Sequence, residues 1–179
     1  TPVGRRNRAM LLLAARTGLR PSDVAGLRLA DIDWRQAMIT VTQHKTGTVV
    51  VLPLLADVGA ALTDYLLSDR PAHALDDHVF LRSQAPHVSL GCSDLYHVAA
   101  GAFARAQTVN TSGTGRGMRV LRASLATGML QQDVPLPVIS GALGHRGIDS
   151  AKHYLAGDEA RMRQCCLDFT GIEPNRARP

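Results

Sequence analysis

The sequence predicts an α+β fold, mostly α-helical, with a small three-stranded antiparallel sheet. Three observations lead there. Apolar residues recur at helical spacing in several segments, most clearly Leu121, Leu125 and Met129 at i, i+4 and i+8. Two β-branched runs, Met38–Thr42 and Val49–Leu52, flank a glycine-containing interruption, which is a hairpin signal. A length of 179 residues, with 45% apolar and 20% charged side chains, suits one domain with its own core and excludes a disordered or fibrous chain.

The elements follow in order. Residues 8–16 read as a helix that stops at Thr17-Gly18, where glycine can take the left-handed cap position. Pro21 suits the first turn of a second helix over 21–28, with Ser22 and Asp23 near its positive end. Arg20 then stands at a helix start beside free backbone N–H groups, a natural place for an anion. Asp31–Trp34 adds a third short strand to the hairpin, and Pro53 ends the set. Helical patterns return over 55–68 and 91–107. Asn110–Gly117 reads as a flexible loop, 118–131 as a helix, and 135–143 as a short helix stopping at Gly144. Asp149 or Ser150 can cap another helix carrying Lys152, His153 and Tyr154. A last helix covers 158–168, and the tail from Gly171 is polar, Arg-rich and loose. No repeat or internal boundary is visible, so one domain over 1–172 and a flexible tail over 173–179 are expected.

Twenty basic residues against fifteen acidic ones give a net charge of +5, compatible with a polyanionic partner such as nucleic acid. All but Lys45 and Lys152 of the basic residues are arginine. A GC-rich coding sequence accounts for that bias, and it makes the two surviving lysines informative. Cys92, Cys165 and Cys166 show no metal-ligand spacing and no disulfide framework, which fits a reducing cytoplasm. The longest strictly apolar run, Ala9–Ala15, has seven residues, too short to cross a bilayer. A signal peptide is not expected. The chain begins without Met and without a long polar lead, so a fragment of a longer protein is expected.

Phosphate-binding loops of the GxxxxGK[ST] type, GxSxG elbows and acidic pairs at two-metal spacing are all absent. Any enzyme chemistry here is therefore expected to be metal-free and carried by basic residues. Taken singly, the basic residues have plain readings. Arg119 and Arg122, three apart on one helix, can be a solvated edge. Arg20 has the same reading, Lys45 can be a solvated hairpin tip, His145 a surface loop residue and Tyr154 a half-buried aromatic.

Order and spacing change that balance. Thr17-Gly18-Leu19-Arg20-Pro21-Ser22-Asp23, Lys45-Thr46-Gly47, Arg119-Val120-Leu121-Arg122, Leu143-Gly144-His145 and Tyr154 stand in sequence, with Tyr154 nine residues after His145. This series resembles the motifs of the tyrosine recombinase (phage integrase) family in family order, over about residues 8–170. The fold implied is that family's catalytic domain. Two departures stand out. The family's first histidine of this helix is Arg119 here, and Ala123 replaces the histidine that follows Arg122. An arginine stays protonated in proteins, so Arg119 cannot be a general base and can at most donate to phosphate or act electrostatically on the tyrosine. The resemblance also implies an N-terminal DNA-binding domain in the parent protein, which is expected to be absent from this chain.

The resemblance implies site-specific DNA recombination through a 3′-phosphotyrosine intermediate. Tyr154 would be the nucleophile. Arg20, Arg122 and His145 would contact the phosphate, with Arg119 beside them. Lys45 would protonate the 5′-oxygen leaving group, a role for which arginine gives up its proton too reluctantly. Asp23 would orient one of the cations or simply favour a helix start. No cofactor, metal or nucleotide is implied. The partners implied are a double-stranded DNA recombination site and other copies of the chain in a tetramer, in the cytoplasm and with no membrane. A C-terminal helix with Leu167, Phe169 and Ile172 could dock on a neighbouring subunit or pack on its own domain. Two alternatives are a type IB topoisomerase-like strand passage and a catalytically degenerate DNA-binding protein. A basic domain with no DNA role would need the motif order to be accidental.

Overall fold

In a computed structural model, residues 1–106 and 117–145 are described. Helix α1 (Pro2–Thr17) begins six residues before the predicted start. Thr1 caps it by accepting from the Gly4 N–H at 3.2 Å, and Pro2 sits where a missing N–H costs nothing. It stops at Gly18, whose φ of 66° is the left-handed cap foreseen from the sequence. Helix α2 (Pro21–Ala25) is shorter than expected, because Gly26 closes it and Leu27 turns into the core.

The sheet is as predicted, three antiparallel strands in the order β1 (Ile32–Asp33), β2 (Met38–Thr42) and β3 (Val49–Pro53). Ile39 pairs with Leu52 and Val41 with Val50, and these four face the core while Thr40, Thr42, Val49 and Val51 face out. Helices α3 (Ala56–Ser68), α4 (Cys92–Arg105), α5 (Arg119–Gln131) and α6 (Leu136–Ala142) lie within a residue or two of the expected segments.

Helix α1 is the centre of the packing, touching α2, α3 and α5. Its Met10 and Leu13 are fully buried beside Leu62 and the Tyr65–Phe80 stack, whose ring centroids are 5.9 Å apart. A second, smaller cluster joins α5 to α6 through Ala126, Leu130, Ile139 and Leu143. On α5 the buried stripe is Arg122, Ala126 and Leu130, whereas Leu121, Leu125 and Met129 are half-buried. The helix is gripped between α1 and α6, so its apolar residues split between the two clusters and the line between them turns inward. An arginine occupies that line, which is why apolar spacing alone places the face one residue off. Among the described residues, no helix is long and apolar enough to cross a membrane.

Candidate active site

Four separate segments converge where α1 ends, α5 begins and α6 ends. The first is the α1–α2 corner. Arg20 is the extended residue before α2, and its carbonyl accepts from the N–H groups of Asp23 and Val24 at 2.9 Å. Those two amides are therefore bonded to Arg20 itself, and it is the Arg20 side chain that is left to meet an anion. Its Nη1 donates to Gln43 Oε1 at 2.5 Å and stands 3.8 Å from Asp23 Oδ2. The Asp23 side chain has no exposed surface, and its Oδ1 accepts from the His44 N–H at 3.0 Å. A buried carboxylate needs such partners, and here they tie Arg20 to the β2–β3 hairpin.

The second segment is the start of α5. Arg122 is only 8% exposed, yet its fork is well supplied. Nη1 donates to the Gly18 carbonyl at 2.6 Å and Nη2 to the Leu143 carbonyl at 2.9 Å. Such charge-assisted bonds make burial of a guanidinium tolerable. They also pin the end of α1 to the end of α6. Gly18 is required for that approach, since a Cβ there would meet Leu143 Cδ2 at 2.6 Å.

The third segment is the end of α6. The Gly144 N–H donates to Gly141 and the His145 N–H to Ser140, both at 2.9 Å, with Gly144 at φ 64°. This is a Schellman cap, and it delivers His145 against Arg122. The Nη2 of Arg122 lies 2.7 Å from His145 Nε2. Burial, then the positive charges of Arg122 and Arg20, push the imidazole down to about 4. It is therefore neutral near pH 7. Because arginine can only donate, Nε2 accepts and the ring proton sits on Nδ1.

The fourth segment is the hairpin. Its loop is closed by Gln43 N–H to Thr48 O at 2.9 Å and Gly47 N–H to Gln43 O at 2.8 Å, with Gly47 at φ 66°. Lys45 stands exposed at the tip. Gln43 is a residue the sequence reading passes over. It is 1% exposed, and its amide reaches Arg20, Thr46 and Leu143. One signal was available: Ile39, Val41 and Gln43 share the inward parity of β2, and a polar side chain in that row needs buried partners.

Of the sequence-predicted site residues, the fold brings Arg20, Arg122 and His145 into one hydrogen-bonded cluster through Gln43 and the Leu143 carbonyl, with Asp23 3.8 Å from Arg20. It places Lys45 on the hairpin attached to that cluster. Arg119 is the first residue of α5 and is exposed, one turn from Arg122. Tyr154 lies outside the described residues, as do Leu167, Phe169, Ile172 and the two C-terminal helices expected from the sequence. Among the described residues, Asp76, Asp77 and His78 form the one group of three potential metal ligands. Asp76 already accepts from the His78 and Ser89 N–H groups at 2.9 Å and contacts the His78 ring, so its carboxylate serves to shape a loop.

The sequence model of the phage integrase family matches residues 1–161. The chain is 38% identical over 173 residues to y4gC of Sinorhizobium fredii, named as an integrase/recombinase, covering 97% of this chain and 88% of that one. It is 30% identical over 156 residues to tyrosine recombinase XerC 2 of Ralstonia nicotianae, covering 86% of this chain and 43% of the relative. Among solved structures, XerA recombinase superposes with a TM-score of 0.73 at 20% identity, over 96% of this chain and 57% of its own. XerH bound to a palindromic difH substrate superposes with a TM-score of 0.76 at 21% identity, over 92% and 46%. At such identities the two structures speak to the fold. This chain thus spans nearly all of one relative and about half of the others.

Proposed function

The chain belongs to the phage integrase family, and from that premise we propose that it is a DNA strand transferase acting in site-specific recombination. The observation that carries this reading is the Arg20–Gln43–Leu143–Arg122–His145 cluster. It presents two guanidinium groups and a neutral imidazole from three different elements, a set suited to the non-bridging oxygens of one phosphodiester. Tyr154 Oη forms a bond to phosphorus as the P–O5′ bond breaks, leaving a 3′-phosphotyrosine link and a free 5′-hydroxyl. Lys45 gives the proton that O5′ takes up, and the phenolic proton leaves to solvent. Arg20 and Arg122 stabilise the charge that builds on the phosphate, Asp23 orients Arg20, and Arg119 supplies a further positive group at the mouth of the site. Neither a metal nor a nucleotide is needed, because the phosphotyrosine conserves the energy of the broken bond. The reaction takes place in the cytoplasm on double-stranded DNA, within a tetramer that brings two sites together.

Covalent trapping tests this. Nicked genomic fragments from the source organism are incubated with the protein, boiled in detergent and screened for DNA–protein adducts, and the attached DNA is sequenced to define the site. Adducts are expected with the wild type and not with Tyr154→Phe. Sequence-selective DNA binding without adducts would replace this reading with that of a binding protein. Relaxation of supercoils without joining of two sites would replace it with that of a topoisomerase.

A further inference from the structure

We propose that Gln43 is a positioning residue for strand cleavage, holding the phosphate-binding arginine and the leaving-group lysine in one register. This rests on the recombinase reading above. Oε1 of Gln43 accepts from Arg20 Nη1 at 2.5 Å and from Thr46 Oγ1 at 2.9 Å, while Nε2 donates to the Leu143 carbonyl at 3.0 Å. The orientation of the amide is fixed by its partners. Arginine has no acceptor and a carbonyl has no donor, so oxygen and nitrogen cannot be exchanged. Through Thr46 the amide grips the residue next to Lys45, and through Arg20 it grips the phosphate clamp. The Leu143 carbonyl it reaches is the one that also receives Arg122.

The fold makes room for this contact at a stated cost. A Cβ at residue 144 would fall on the Gln43 amide, and Gly144 also holds the left-handed conformation there. Only an amide meets all three partners. A carboxylate keeps the two bonds to oxygen but sets a lone pair against the Leu143 carbonyl, and methionine matches the shape with no strong hydrogen bond.

The test uses the full chain and a suicide duplex built from the trapped site, in two versions. One has an ordinary phosphodiester at the scissile position, and the other has sulfur in place of the bridging 5′-oxygen. A thiolate leaves without a proton, so it makes the leaving-group acid unnecessary. Single-turnover cleavage is measured on preformed protein–DNA complexes, which separates it from folding and from binding. Gln43→Met is expected to cleave the ordinary duplex about 30-fold more slowly, within the range that small misplacements of a catalytic group produce. Its DNA affinity should stay within about threefold of wild type, since phosphate contacts elsewhere dominate binding. Sulfur should restore most of the rate and leave a residual defect of about threefold, because Arg20 remains misplaced. Lys45→Ala should be restored completely. Gln43→Glu should fall between Gln43→Met and wild type.

A Gln43→Met rate within about twofold of wild type overturns the inference while the recombinase reading stands. Complete rescue by sulfur overturns the link to Arg20, and no rescue overturns the link to the hairpin. Failure of the wild type to form any adduct overturns the recombinase reading itself, and the inference with it.

Discussion

Nη2 of Arg122 stands 2.7 Å from Nε2 of His145, and the same nitrogen donates to the Leu143 carbonyl at 2.9 Å. Burial first, and then the positive charges of Arg122 and Arg20, keep the histidine neutral, with its value brought down to about 4.

Stability should fall as the protein is acidified from about pH 7.5 to about pH 5. An unfolded histidine protonates near 6.5, whereas His145 in the fold resists until about 4. Between those values the unfolded state binds the extra proton, so the contribution is complete above 6.5 and is lost as pH falls toward 4. After allowance for solvent screening, the protein should be about 1 kcal/mol less stable at the lower pH than at the higher from this group. Urea midpoints at the two pH values measure it, and His145→Gln should flatten this part of the profile. An unchanged profile in the variant would assign the loss to other groups.

Arg122→Lys should lose both stability and cleavage. A single ammonium cannot reach the Gly18 and Leu143 carbonyls together; the Leu143 carbonyl keeps its bond from Gln43, so loss of the bond to Gly18 is the costlier outcome, at about 1–3 kcal/mol. Loss of one fork from the transition-state clamp should slow cleavage by about 100-fold or more. Urea unfolding and single-turnover cleavage on the suicide duplex measure the two effects. Full cleavage by the lysine variant would remove Arg122 from the phosphate clamp.

The family was legible because its motifs stand in order at set spacing along the chain. The sheet was legible because two β-branched runs flank the glycine-containing interruption at Gly47. What escaped had a common physical cause, polar side chains spent on the interior. The first turns of α1 carry Arg5, Arg6 and Arg8, which hide a helix from apolar spacing. Arg6 is nonetheless buried, donating to the Leu81 carbonyl at 2.7 Å. Arg122 hid the buried line of α5 in the same way, and Gln43 ended the inward row of β2 without announcing its three partners. Such groups become visible only when the acceptors brought from distant segments are known.

Asp76 should matter for acid stability, separately from His145. The His78 N–H, with the His78 side chain and the Ser89 N–H, holds this carboxyl down at about 2. The sign is the same as for His145, since both values are lowered in the fold, but here the cause is hydrogen bonding to the charged form rather than burial. The depressed carboxylate contributes fully above its unfolded value of about 3.8, and that contribution goes as pH falls toward 2. Asp76→Ala should cost about 1 kcal/mol at neutral pH by stranding two backbone donors. It should also reduce the steepness of acid unfolding between about pH 4 and about pH 2. Circular dichroism during acid titration distinguishes the variant from wild type. Coincident acid transitions would show that the Asp76 bonds survive in the unfolded chain or add nothing.

Three glycines near the site should respond to alanine in different ways, and the pattern tests the close approaches that build it. Gly18 and Gly144 have φ of 66° and 64°, which costs a non-glycine residue about 1–2 kcal/mol. At Gly18 the new methyl would also meet Leu143 Cδ2 at 2.6 Å and Leu125 Cδ2 at 3.0 Å, so those two side chains must move as well. At Gly144 it would strike the Gln43 amide, so cleavage should fall further than stability alone explains. Gly141 is different. It lies within α6, nothing among the described residues stands within 4 Å of where the new methyl would sit, and alanine is the better helix former. Gly141→Ala should stabilise the protein by about 0.5–1 kcal/mol with cleavage unchanged. Thermal and urea unfolding of the three variants, paired with suicide-duplex cleavage, gives the comparison. If Gly144→Ala lost stability while retaining full cleavage, the Gln43 contact would be a packing feature with no part in the reaction.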